Sequence, residues 1–98
     1  MVDSNYPLAK HFDDVSEKVK VHGKSMSQDD LKICYGLFKQ AKFGDNNTDQ
    51  PSFYQLTEKG KWNAWNDQKG KSTDQAKHEY VVHCINFFPD DVKSTYSS

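Results

Sequence analysis

Arginine is absent from all 98 residues. That absence removes the planar fork that grips a phosphate or a guanine edge through paired hydrogen bonds. The charge balance closes a second route to nucleic acid. Thirteen lysines face 14 acids for a formal net charge of −1, so no broad basic field exists. Any anion site must be a local cluster of lysines. Long apolar runs are missing too, and nothing approaches the ~20 residues that a bilayer-spanning helix needs. The opening MVDSNYPLAKHF has no basic segment leading into an apolar one, so no signal peptide is expected. Cysteine is scarce. Cys34 and Cys84 each sit amid apolar neighbours and read as reduced, buried thiols of a cytoplasmic protein rather than a structural bridge. The histidines show no zinc-like spacing, and no metal is expected.

What is present points to a folded chain. Apolar residues make up only 35% and charged residues 28%, yet aromatics reach 13%, which a disordered chain would lack. The expectation is one small domain over 1–98 with short polar termini, and a monomer.

Helix signals dominate. Phe12, Val15 and Val19 recur at helical spacing from Leu8 to His22, where Gly23 closes the first helix. Ser27 opens a second helix and can cap the amides of Asp29 and Asp30. Leu31, Cys34, Tyr35, Phe38 and Ala41 form its apolar face, ended by Gly44. The stretch GDNNTDQPSFYQLTEKG is turn chemistry around Pro51, a connection long enough to suggest function or tight packing. A third helix is expected from Thr57 to Lys69, carrying Trp62 and Trp65. Ser72-Thr73-Asp74-Gln75 reads as a capping box for a fourth, running through Ala76, Tyr80, Cys84 and Phe87 to Pro89. The tail DDVKSTYSS reads as frayed. Four helices in one small domain make an all-α bundle.

Lysines stand beside aromatics at Lys39 with Phe38 and Tyr35, at Lys61 with Trp62, and at Lys20 next to Val19. Residues alone leave two readings open. The lysine stems lie along an apolar face with their ammonium groups in water, or rings and charges share a ligand.

The segment 35–65 resembles the signature region of the acyl-CoA-binding protein family. The matching pieces are Tyr35-x-x-Phe38-Lys39-Gln40-Ala41, Gly44-Asp45-x-Asn47, Pro51, Gly60-Lys61-Trp62-x-Ala64-Trp65 and Lys69-Gly70. Weaker likeness extends back to Phe12 and forward to Phe88. The resemblance implies an up-down-down-up four-helix bundle that binds fatty acyl-CoA thioesters non-covalently, without cofactor or catalysis. It implies ligand contacts from Lys20, Tyr35, Lys39, Lys61 and Tyr80, with Gly36, Leu37 and Phe38 lining the groove. Lys39 and Lys61 would face the ribose 3′-phosphate, Tyr35 the adenine, and Tyr80 would approach from the fourth helix. It also implies an intracellular carrier of medium- to long-chain acyl-CoA that meets lipid enzymes and membrane surfaces transiently, and no nucleic acid.

Three departures bear on chain length. Phe38 stands where many members carry tyrosine, Lys32 where the position is often apolar, and Ser52-Phe53-Tyr54-Gln55-Leu56 where small residues and methionine are commoner. Asp45, Asn46 and Asn47 lack the full calcium-loop pattern and read as turn formers. The rival readings are a helical protein-interaction module and a thioesterase using Cys34.

Overall fold

The computed structural model describes residues 6–52 and 55–96. A 3₁₀ turn over Pro7–His11 leads into α1, Phe12–His22, followed by α2, Gln28–Phe43, and α3, Leu56–Asn66. Then come α4, Thr73–Ile85, and a short α5, Asp90–Lys93, with a closing 3₁₀ turn at Ser94–Tyr96. No strand occurs among the described residues. The protein is all-α: α2 packs on both α3 and α4, and α1 on α4.

Local chemistry explains most boundaries. The Ser27 hydroxyl accepts from the Asp30 amide at 3.1 Å, and Asp30 accepts in return from the Ser27 amide at 3.4 Å, a reciprocal capping box. At Ser72 only half of the expected box forms. Its hydroxyl accepts from the Gln75 amide at 3.1 Å, while the Gln75 side chain donates to Glu79 at 2.8 Å instead of reaching back. The Glu79 carboxylate, one turn along the helix and also bonded by Lys71 at 2.7 Å, is a charged acceptor for that amide. Gly44 ends α2 at φ 77°, left-handed backbone that favours glycine. Gly23 does not: its φ is −84°, and the chain tightens into a 3₁₀ turn over Gly23–Ser25. α3 stops at Asn66, with turns carrying the chain on to Gly70.

The long connection is pinned rather than loose. Trp65 donates its indole N–H to the Gly44 carbonyl at 2.8 Å, and Trp62 donates to the Thr48 carbonyl at 3.0 Å. Asp45 accepts from the Gly70 amide at 2.9 Å and from Gln40 Nε2 at 2.8 Å. The Gly70 and Gln40 donors hold its carboxyl below the usual aspartate range. Asn46, 3% exposed, accepts from the Thr48 amide at 2.9 Å. These are turn-forming roles, as the residue types suggested. Phe53 and Tyr54, part of the unusual 52–56 segment, lie outside the described residues.

The core runs from Phe12 and Val15 through Leu37 and Ala41 to Val81 and Cys84. It continues further than expected. The tail is not frayed at Tyr96, which is 1% exposed and whose hydroxyl donates to Asp14 on α1. Its ring meets His11 edge-on at 5.1 Å and lies 5.0 Å beneath the Lys18 ammonium. An aromatic this large gains more from burial than the tail loses in chain entropy.

Candidate functional site

One side of α2 carries Tyr35, Phe38, Lys39 and Lys42, because residues three and four apart on a helix share a face. Lys39 folds over aromatic rings. Its Nζ lies 4.5 Å from the Phe43 ring centre, 4.9 Å from Trp65 and 6.0 Å from Tyr35. Lys61 reaches across from α3 to within 5.8 Å of the same Tyr35 ring. Two ammonium groups therefore flank one phenol ring, each drawn to π-electron density rather than held by an acid. The acid nearest Lys61 is Glu58 at 3.9 Å, an exposed pair that contributes little.

Beside this cluster a cavity of about 510 Å³ opens between α2 and α3. Tyr35 and Lys61 form one wall, with Leu31, Lys32, Leu56 and Thr57 completing it. Leu31 and Leu56 are 43% and 76% exposed, apolar surface that an oily ligand would cover. A second hollow, of about 360 Å³, lies among α1, α2 and α4 and is lined by Lys20, Phe38, Lys42 and Tyr80 together with Asp13, Ser16 and Glu17. Its floor is aromatic: Phe38 stacks on Phe12 at 5.6 Å, and Tyr80 meets Phe12 edge-on at 5.0 Å. Aromatic faces and ammonium groups together suit a flat, anionic group, which would have to draw Lys20 from Glu17, 3.2 Å away, and Lys42 from Asp13, 3.9 Å away.

Most of the residues singled out from the sequence converge here. Tyr35, Lys39 and Lys61 form the central cluster. Phe38, Tyr80 and Lys20 surround the second hollow, with Lys20 exposed at its rim and 3.2 Å from Glu17. Tyr80 enters through its ring. Burial, and then the Cys84 thiol beside it, push the phenol well above its usual pKa, so it remains neutral.

Gly36 and Leu37 do not line either hollow. A Cβ at Gly36 would fall 2.1 Å from the Ala64 carbonyl oxygen, which makes this glycine the point where α2 and α3 touch. Leu37 is 3% exposed and faces the core. Their places follow from the helical turn, since the two positions after Tyr35 point away from its side. Lys42 was missed, although it stands four residues after Phe38; Leu31 was read only as part of the apolar face of α2, and Leu56 only within the 52–56 segment that bears on chain length.

A family model described as "Acyl CoA binding protein" matches residues 9–84. An acyl-CoA-binding protein homolog of Drosophila melanogaster is 46% identical over 75 residues, covering 76% of this chain and 87% of the relative. The acyl-CoA-binding protein of Brassica napus is 43% identical over 75 residues, covering 76% and 82% respectively. Among solved structures, Oryza sativa acyl-CoA-binding protein 2 superposes with a TM-score of 0.78 at 31% identity, across 93% of this chain and 99% of that one. An acyl-CoA-binding protein from Babesia bovis T2Bo gives a TM-score of 0.71 at 40% identity, across 81% and 91%.

Proposed function

Since this chain belongs to the acyl-CoA-binding protein family, we propose that it is an intracellular carrier that binds medium- to long-chain fatty acyl-CoA one to one. The ligand's fatty tail occupies the α2–α3 cavity; the 3′-phosphate of its nucleotide head meets Lys39 and Lys61 beside Tyr35, and the rest of the head extends toward Lys20, Phe38 and Tyr80. The observation that carries this reading is the Tyr35 ring flanked by Lys39 and Lys61 at 6.0 and 5.8 Å, at the mouth of a cavity with apolar walls. A ribose 3′-phosphate holds roughly −1.5 to −2 charges, which two ammonium groups nearly neutralise. Lysine serves here as a point charge, without arginine's fork.

Binding is partition and release, with no bond broken. The Cys34 sulfur faces Cys84 at 3.1 Å and no base, which speaks against its acting on a thioester. No described helix is long and apolar enough to cross a membrane. We place the carrier in the cytoplasm as a monomer, where it buffers acyl-CoA, shields it from membranes and hydrolysis, and passes it to lipid enzymes.

Each buried methylene contributes about 0.8 kcal/mol, so two more carbons should tighten binding roughly tenfold until the cavity is full. Titration calorimetry with acyl-CoAs of increasing chain length, beside free CoA and free fatty acid, tests the proposal. Saturable binding that requires both head and tail is expected. Equal affinity for the fatty acid alone, or no binding at any length, would sink it.

A further inference from the structure

Two nucleophilic side chains lie outside the ligand reading, and they lie against each other. Cys34 on α2 and Cys84 on α4 are unbridged, 5% and 0% exposed, with their sulfurs 3.1 Å apart. A disulfide bond is about 2.05 Å long, so closing one requires an approach of only roughly 1 Å. The helices that carry them already pack together along the core. The bond to Cys34, with burial, pushes the Cys84 thiol well above its ordinary pKa. Cys84 is therefore protonated while the α2–α4 seam is shut, and with both sulfurs buried, reaction waits on a local opening.

We propose that Cys34 and Cys84 form a reversible redox site, at which a hydroperoxide converts the two thiols into an intramolecular disulfide stapling α2 to α4. When the seam opens, the Cys34 thiolate attacks one peroxide oxygen and the O–O bond breaks. The departing hydroxide leaves as water with the thiol's proton, and Cys34 becomes a sulfenic acid. Cys84 then attacks that sulfur, the S–O bond breaks, and a second water departs. The two thiols lose two electrons and two protons, and the peroxide takes up both. The neighbouring Cys84 intercepts the sulfenic acid before a second peroxide can carry it to the irreversible sulfinic state. A small dithiol reverses the bond by exchange.

The staple spans 50 residues, closing a loop that contains all of α3 and the long connection. A loop of that size restricts the unfolded chain strongly, and the melting temperature should rise by roughly 20 °C. The inference stands independently of which ligand the protein carries.

The test begins with fully reduced protein, treated with hydrogen peroxide in native buffer and, separately, in urea. Intact mass should fall by two hydrogens in native buffer, and non-reducing peptide maps should join the Cys34 and Cys84 peptides. Melting should rise as stated and return after dithiothreitol. In Cys84→Ser, peroxide should leave a sulfenic acid on Cys34 that dimedone traps, provided that circular dichroism shows the variant folded. A bridge that forms in urea only would overturn the proposal. Sulfinic acid or cross-links between molecules as the main native products would also overturn it, as would two thiols that stay unmodified.

Discussion

Lys39 shows how a single side chain can hold charge and apolar surface together. Its ammonium rests over Phe43 and Trp65 at 4.5 and 4.9 Å, contacts that contribute on the order of 0.5–1 kcal/mol at an exposed site. A ligand phosphate offers more, about 2 kcal/mol for a charged hydrogen bond. Lys39→Ala should therefore weaken acyl-CoA binding by roughly 30-fold while melting shifts by only a few degrees, as calorimetry and thermal denaturation would reveal. Comparable losses in both would assign Lys39 to the scaffold. Lys32 poses the reverse case. It stands on the wall of the α2–α3 cavity, and its ammonium passes 3.7 Å from where a Gly60 Cβ would be. An alkyl tail beside that charge loses part of its transfer energy. Lys32→Leu should tighten binding of the longer acyl chains by roughly fivefold and leave short ones nearly unchanged. A uniform change across all lengths would show that Lys32 acts on the head group instead.

Between elements, the decisive contact is the smallest residue. Gly36 lets α2 approach α3 until a Cβ would fall 2.1 Å from a backbone oxygen, which no side-chain rotation can relieve. Gly36→Ala must push the helices apart, at a cost of about 1–3 kcal/mol or more in a urea titration. Because the cavity lies between the same two helices, ligand affinity should fall as well. An unchanged unfolding midpoint would show that the seam is slack. The tryptophans act at this scale too. The tryptophan pair at helical spacing reads as structural in the sequence, and the indole N–H groups of Trp62 and Trp65 anchor the connection from α2 to α3.

Across the whole molecule, the C-terminus closes on the N-terminal half through Tyr96 and Asp14. The Tyr96 hydroxyl, with Lys18 beside it, holds the Asp14 carboxyl below its ordinary 3.8. Its contribution to stability is full above that value and fades as pH falls through the lower folded pKa. Burial and the Asp14 bond hold the Tyr96 phenol above its ordinary 10.0. Its contribution is full below pH 10.0 and fades as pH rises through the folded value. Urea midpoints measured across both windows should fall at each end, and Tyr96→Phe should flatten both limbs. Limbs that persist in the variant would assign the titration to other groups.

The sequence by itself determined the helices, their capped starts, and the residue types that a ring, a phosphate and an acyl chain require. Helical spacing, glycine stops and hydroxyl caps are local, acting within a turn or two, so Ser27 and Gly44 were legible without a fold. The likeness of segment 35–65 to a known family also lay in the sequence. Contacts distant in the chain were not legible. That Gly36 is a helix crossing, that the Tyr80 ring packs on Phe12, and that Tyr96 belongs to the core each depends on a partner far along the chain. The same holds for Cys34 against Cys84. Only tertiary packing decides such pairs, because burial rewards whichever apolar or polar surfaces the whole chain can bring together at once.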